Sequence, residues 1–213
     1  GLGSPGFWSR DPKTGIDWVK VLHGEQKIVI HNPLPTSATI KAKSKVTGLV
    51  DKGADKGALI LTERTLKDAE SGLDLATLTS TTFARGNGGY DGPSDEAPRP
   101  HKVPEREPDF AVDLTTLDMA ALIYRLSGDY NPLHASPSVA RAAGFPKPIL
   151  HGLCSLGVAG HAILKGCCDY DAKRLKSLQL RFSSPVYPGE TVRTEIWRDG
   201  ANISFKSKIV ERR

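Results

Sequence analysis

The sequence predicts an α+β fold built on antiparallel sheets, with one long apolar helix in its second half. Three observations carry that expectation. Runs rich in β-branched residues fill the chain between Val19 and Ala84 and return between Leu178 and Val210. One strongly apolar run, Ile149 to Leu164, keeps helical spacing instead of alternating. Asp199-Gly200 separates two alternating runs, a strong hairpin signal.

Residues 1–18 hold Ser4-Pro5 and Asp11-Pro12 among several glycines and read as loop. Val19 to His31 leaves that loop and is extended over Lys27-Ile28-Val29-Ile30-His31, until Asn32-Pro33 and Pro35 stop it. From Thr39 to Val50, Lys41, Lys43 and Lys45 alternate with Ile40, Ala42 and Ser44, as in a half-exposed strand. A turn over Gly53–Gly57 leads to a strand at Ala58–Arg64, and Leu73 to Ala84 makes a fourth. Residues 1–84 are therefore a mostly sheet half. Arg85 to Asp109 differs in composition, with five prolines and many charges, and reads as a crossover linker that is either ordered or a plain disordered insert.

Residues 110–213 form the second half. Leu117, Ala120, Ala121 and Tyr124 recur at helical spacing, with Thr115 or Thr116 available as a cap, so a helix is expected over Thr116–Leu126. Gly128 is its left-handed stop. Pro132 lacks an N–H and biases Asn131 away from helix. Ser136-Pro137 reads as N-cap and first residue of a short helix ending near Gly144. In the long helix, Leu153, Leu156, Gly157, Gly160 and Leu164 share the periodicity, and the small residues allow close approach to a sheet. Leu178–Phe182, Thr191–Trp197 and Asn202–Val210 are the strands that follow.

Composition excludes several classes of function. The 213 residues can make one large domain or two small ones, and 38% hydrophobic with 25% charged residues is ordinary for a globular chain. No run of about 18 apolar residues exists, so no transmembrane helix and no membrane partner are expected. The opening Gly-Leu-Gly-Ser-Pro-Gly-Phe-Trp lacks the charged region and apolar core of a signal peptide. Cys154, Cys167 and Cys168 are too few and too clustered for a disulfide framework and suggest a reducing compartment; Cys167-Cys168 has no metal-binding spacing and reads as packing. The net charge of +5, from 29 basic and 24 acidic residues, is mild and scattered. No basic stripe alternates with aromatics, so no nucleic acid is expected.

Chemistry concentrates between the two short helices. Asp129, Asn131 and His134 place an acid, an amide and an imidazole within six residues on a tight loop. A lone Asp-x-Asn-Pro would be an ordinary turn, because turns use these residues. The full string Tyr124-Arg125-Leu126-Ser127-Gly128-Asp129-Tyr130-Asn131-Pro132-Leu133-His134 is more particular than a turn requires. It resembles the hydratase 2 motif of the MaoC-like, (R)-specific enoyl-CoA hydratases, nearest to the eukaryotic 2-enoyl-CoA hydratase 2 enzymes. The likeness extends over His23-Gly24-Glu25-Gln26, Asp51-Lys52-Gly53, Pro148-Ile149-Leu150-His151-Gly152 and Pro185-Val186-Tyr187-Pro188-Gly189. Ser136 stands where many members have Asp; both residues cap helices.

The resemblance implies a double hot-dog in which only the second half carries the catalytic motif. The first half shows no long central helix, and the chain stops just after a strand that in the family leads to one more. Both ends are therefore expected to be trimmed. The implied activity is reversible hydration of trans-2-enoyl-CoA to (3R)-3-hydroxyacyl-CoA in fatty-acid β-oxidation. That reaction needs a base for the water, an acid for the α-carbon and a donor for the enolate oxygen. Asp129 and His134 can supply the first two through one shared water, with Asn131 orienting it. Gly152, near the start of the long helix, offers an unpaired N–H as the donor, or else merely packs tightly against the sheet. His151 reads as structural and stays outside the catalytic set.

The resemblance marks His23, Gly24, Lys52, Tyr130, Pro132, Leu133 and Phe182 as acyl-CoA contacts. Lys56 competes with Lys52, since Asp-Lys-Gly occurs twice. The modest positive charge suits a ligand with several phosphates. The coenzyme A thioester is the substrate; no cofactor and no metal are expected, and a homodimer is. The location implied is peroxisomal, or otherwise cytoplasmic. Three other readings stay open: a dehydratase acting on acyl-carrier-protein thioesters, a thioesterase, and a non-catalytic acyl-CoA-binding hot-dog. The motif argues against the thioesterase, and the acid–base pair argues against mere binding.

Overall fold

The computed structural model describes residues 11–94 and 97–212, and residues 1–10 of the expected N-terminal loop lie outside the described residues. The chain divides into two units, Gly1–Arg99 with Leu175–Ser183, and Pro100–Arg174 with Ser184–Arg213.

The first unit is one antiparallel sheet. Its strands are β1 (Val21–Ile30), β2 (Ile40–Asp51), β3 (Ala58–Asp68), β4 (Asp74–Ala84) and one later strand, in the order β2-β3-β4-β1-β6. β1 is longer than its apolar run suggests. A register shift between His23 and Glu25 lets it keep pairing with β4 as far as Val21 opposite Ala84. β3 outruns its expected end at Arg64 because both neighbours continue, with Asp68 opposite Ile40 and Lys67 opposite Asp74. Leu66, Leu75 and Ala76 form its small core, with Ile40 and Leu78 against them.

The later strand is unexpected in its partner. The fifth and sixth strands in chain order are β5 (Phe110–Thr115) and β6 (Ser177–Arg181). By sequence β6 lies inside the span 110–213, yet it pairs with β1, Leu178 opposite Ile28 and Arg181 opposite Glu25. The spatial boundary therefore does not follow the one read along the chain.

Among the described residues, 85–109 holds no helix or strand. Its first part is nevertheless tied down. Buried Asp51 accepts hydrogen bonds from Gly53 N and Gly89 N, both at 2.8 Å, and donates its own N–H to Pro93 O at 2.7 Å. The amides of Gly89 and Gly53 hold the Asp51 carboxyl below its usual range.

The second unit contains β5, β7 (Thr191–Asp199) and β8 (Asn202–Ile209) in an antiparallel sheet ordered β5-β7-β8. Gly200, with φ 57°, takes the first of two loop positions between Asp199 and Asn202. The helices are α1 (Ala120–Arg125), α2 (Pro137–Ala142) and α3 (Gly152–Cys167). α3 packs on β5 and β7 and buries Leu156, Ala159, Gly160, Ala162 and Ile163. Of the small residues expected to allow close approach, Gly160 is buried but Gly157 is not in contact, and a closer approach is made at Gly166, which the periodicity did not single out. A Cβ added at Gly157 would meet nothing within 4 Å, whereas one at Gly166 would stand 2.6 Å from Phe110 Cε2.

α1 starts later than the expected Thr116. Its N-cap is Met119, with no side-chain cap. Thr116 serves the turn at Gly189 instead: its Oγ1 donates to Glu190 O at 2.9 Å and accepts from Gly189 N at 3.0 Å. Ser136 caps α2 by accepting from Val139 N, Pro137 is the first helical residue, and Gly144 follows at φ 90°. Gly128, at φ 105°, ends the turn after α1, as expected.

Candidate active site

The motif loop shapes itself with its own side chains. Asp129 Oδ1 accepts from Asn131 N at 3.1 Å, and Asn131 Oδ1 accepts from Leu133 N at 3.1 Å. The second bond caps a 3-10 turn, Pro132–His134. Arg125 Nη1 reaches across from α1 to Asn131 O at 3.0 Å. These bonds leave the Asp129 side chain 47% exposed while His134 is buried. Asn131 is thus a loop former through its Oδ1, and its amide nitrogen is the end it has for a water.

His134 is fixed by a 2.8 Å contact from Nδ1 to Ile149 O. A carbonyl can only accept, so Nδ1 carries the proton and Nε2 keeps a lone pair. Burial pushes the His134 pKa below 6.5, opposed by that bond and by Asp129. Gly152 is the first residue of α3, and the first bonds there, Cys154 N and Ser155 N to His151 O, lie beyond the N–H groups of Gly152 and Leu153. Those two groups have no acceptor within the helix.

Sequence reasoning set His151 aside, and the structure puts it at the centre of this cluster. It is buried, its ring stacks on His134 with centroids 3.7 Å apart, and Tyr124 lies 4.6 Å away. Its Nε2 sits 3.3 Å from Asp129 O and 4.0 Å from Asp129 Oδ2. Burial, then the neighbouring His134, lower its pKa to about 4. Its one local mark is the position just before the helix start, which by itself does not separate packing from positioning.

One carboxylate oxygen of Asp129 and one ring nitrogen from each histidine lie within 4.8 Å of one another. Such groups can ligate metals, although the hydrogen bonds to Ile149 O and Asp129 O already engage His134 Nδ1 and His151 Nε2. The separation suits a different guest. Polar atoms no more than 4.8 Å apart are within reach of one shared water at ordinary hydrogen-bond lengths.

Four residues expected to touch ligand lie in the first unit. His23 Nε2 contacts Ser80 Oγ at 2.9 Å and Glu25 O at 3.0 Å, and its ring meets Phe182 edge-on with centroids 5.0 Å apart. Phe182 N donates to Gly24 O at 2.8 Å, so these three residues are brought together. Lys52, just before the Gly53–Gly57 turn, and Lys56, within it, are both exposed. In the second unit, Tyr130 is exposed with Arg125 over its ring, Pro132 starts the 3-10 turn, and Leu133 is buried.

Two family descriptions match the chain: "MFE-2 hydratase 2 N-terminal domain" over residues 6–86 and "MaoC like domain" over residues 100–213. The chain belongs to the MaoC-like family. It is 41% identical to the peroxisomal enoyl-CoA hydratase 2 of Arabidopsis thaliana, covering 100% of this chain and 69% of that protein. It is 42% identical to the peroxisomal multifunctional enzyme type 2 of Drosophila melanogaster, covering 94% of this chain but only 33% of the longer enzyme. Among solved structures, a MaoC-like dehydratase from Phytophthora capsici superposes with a TM-score of 0.83 at 44% identity, over 91% of this chain and 68% of that one. A Mycobacterium tuberculosis protein described as a double hot-dog shares the fold at 14% identity, with a TM-score of 0.57 over 90% of this chain and 69% of that one. The helix and antiparallel sheets of this MaoC-like chain are accordingly those of a hot-dog fold.

Proposed function

We propose that this chain adds water to trans-2-enoyl-CoA and forms (3R)-3-hydroxyacyl-CoA, a step of fatty-acid β-oxidation. The observation that carries the reading is the Asp129–His134 pair, with polar atoms within 4.8 Å of each other on a loop that its own hydrogen bonds hold. The water oxygen bonds C3 of the enoyl thioester while the pair removes one of its protons. Electrons shift through the double bond onto the thioester oxygen, where the Gly152 N–H stabilises the enolate. The pair then returns one proton to C2. Atoms and charge balance, and no cofactor or metal takes part. His134, held neutral by burial, has the Nε2 lone pair that the first transfer uses.

Asp129 and His134 belong to one loop, so hydroxyl and proton arrive on the same face. The hydratase 2 relatives support the (3R) sense. They also support an acyl-CoA substrate and a peroxisomal location. A homodimer is part of the same reading, and light scattering at micromolar concentration decides it. The activity is tested by mixing the chain with crotonyl-CoA and following loss of the conjugated enoyl-thioester absorbance. The product is then offered to a dehydrogenase specific for (3S)-hydroxyacyl-CoA. Hydration with no oxidation is expected; complete oxidation overturns the stereochemical assignment, and absence of hydration overturns the function.

A further inference from the structure

We propose that His151 is a positioning residue of this site, which holds the His134 ring by its face and the Asp129 main chain by an N–H bond. The inference rests on the function proposed above for its kinetic consequence, but not for its geometry. Three elements converge on this one imidazole. His151 is the N-cap of α3, yet its side chain makes no cap bond to the helix. It is turned instead toward the motif loop, where the ring lies 3.7 Å from the His134 ring at 26° between planes. From the other direction Tyr124 of α1 packs on it at 4.6 Å.

The hydrogen bonding assigns its tautomer. The Asp129 carbonyl 3.3 Å from Nε2 can only accept, so Nε2 carries the proton. Nδ1 is then a bare lone pair, and it is buried with no hydrogen-bond partner among the described residues. An unsatisfied buried acceptor costs stability, and an apolar ring of similar shape would avoid that cost. What the imidazole adds over such a ring is its donor, aimed at the residue that carries the carboxylate. The charged and titratable groups around it are Asp129 and Arg125 from the loop and α1, His134 from the 3-10 turn, and Tyr124 with Cys154 nearby. A second positive charge beside His134 would oppose its protonation, so the neutral state of His151 belongs to its role.

The two contacts act on different partners. Stacking restricts the His134 ring, whose Nδ1 is already tied to Ile149 O. The Nε2–H bond restrains Asp129 through its carbonyl, independently of the Oδ1 bond to Asn131 N. The spacing of the Asp129–His134 pair depends on both.

The experiment uses the full chain with His151→Phe, which keeps a flat ring without the donor, His151→Gln, which keeps a donor without the ring, and His151→Ala. With crotonyl-CoA, kcat is expected to fall about tenfold in the first two and about a hundredfold in the third, with KM within about twofold of wild type, as for small misplacements of reacting groups. Nitrogen-15 NMR of the ring nitrogens supplies a readout that does not need turnover. His134 is expected as a pure Nδ1–H tautomer in the wild type and in His151→Phe, and as a tautomer mixture in His151→Gln and His151→Ala. Wild-type kcat in His151→Phe and His151→Gln overturns the proposal. So does a loss of kcat that tracks melting temperature while the His134 signals stay unchanged. If the wild type itself does not hydrate crotonyl-CoA, the functional reading fails, and the His134 signals alone decide the positioning role: a changed tautomer in His151→Gln upholds it, an unchanged one overturns it.

Discussion

Asp129 serves two purposes that one substitution separates. Its Oδ1 holds the loop by accepting from Asn131 N, and in the proposed reaction the carboxylate handles the proton. Asp129→Asn keeps an oxygen for the first purpose and removes the second. It should lower hydration by about two orders of magnitude or more with an unchanged circular dichroism spectrum. His134→Ala should lower it as far; either variant turning over near the wild-type rate removes that residue from the acid–base role. The two stacked imidazoles also set a pH dependence. Burial holds both below the ordinary 6.5, His151 at about 4, so the folded chain keeps them neutral where the unfolded chain takes up protons. Stability from these groups is complete above about pH 6.5 and is lost as the pH falls toward about 4. The melting temperature should drop across that window, and His151→Phe should make the drop shallower; an equal drop in both proteins contradicts the assignment.

At the scale of elements, the close approach of α3 to its sheet depends on Gly166. A Cβ there would stand 2.6 Å from Phe110 Cε2 and 3.1 Å from Cζ, so Gly166→Ala must move either the helix or the ring. Because Phe110 begins β5 and Gly166 is in the last turn of α3, a cost of about 1–3 kcal/mol is expected, read as a lower urea midpoint. An unchanged midpoint would mean that the ring turns aside freely. The same scale shows why some elements were hard to read. Phe110-Ala111-Val112-Asp113-Leu114-Thr115 alternates as a strand should, but it follows a proline-rich stretch and precedes a helical pattern, and only its pairing with β7 identifies it. Thr116 has the chemistry of a helix cap, and a turn distant in sequence engages it first.

For the whole molecule, the path of β6 matters most. A chain severed between Asp109 and Phe110 separates β6 from β1 and leaves the Glu25–Val29 edge unpaired. Residues 1–109 expressed alone should therefore aggregate, and co-expression with residues 110–213 should return them to the soluble fraction. A soluble, monomeric 1–109 fragment on size exclusion would show that β6 is dispensable to the first sheet.

Local chemistry was decisive wherever neighbours in sequence are also partners in space. The Asp129-x-Asn131-Pro132 loop, the Ser136-Pro137 cap, the Gly128 stop and the Asp199-Gly200 hairpin are made by residues a few positions apart, and their hydrogen bonds are those the residue types call for. The acid, the amide and the imidazole were legible for the same reason, together with a motif long enough to point to a family. Tertiary structure alone decided the contacts with large sequence separation. It set β6 beside β1, Thr116 against Glu190, Gly166 against Phe110, and His151 between His134 and Asp129. A buried histidine just before a helix has no local pattern that distinguishes packing from positioning. Its role depends on which groups lie across its ring and at the end of its N–H, and folding brings those there.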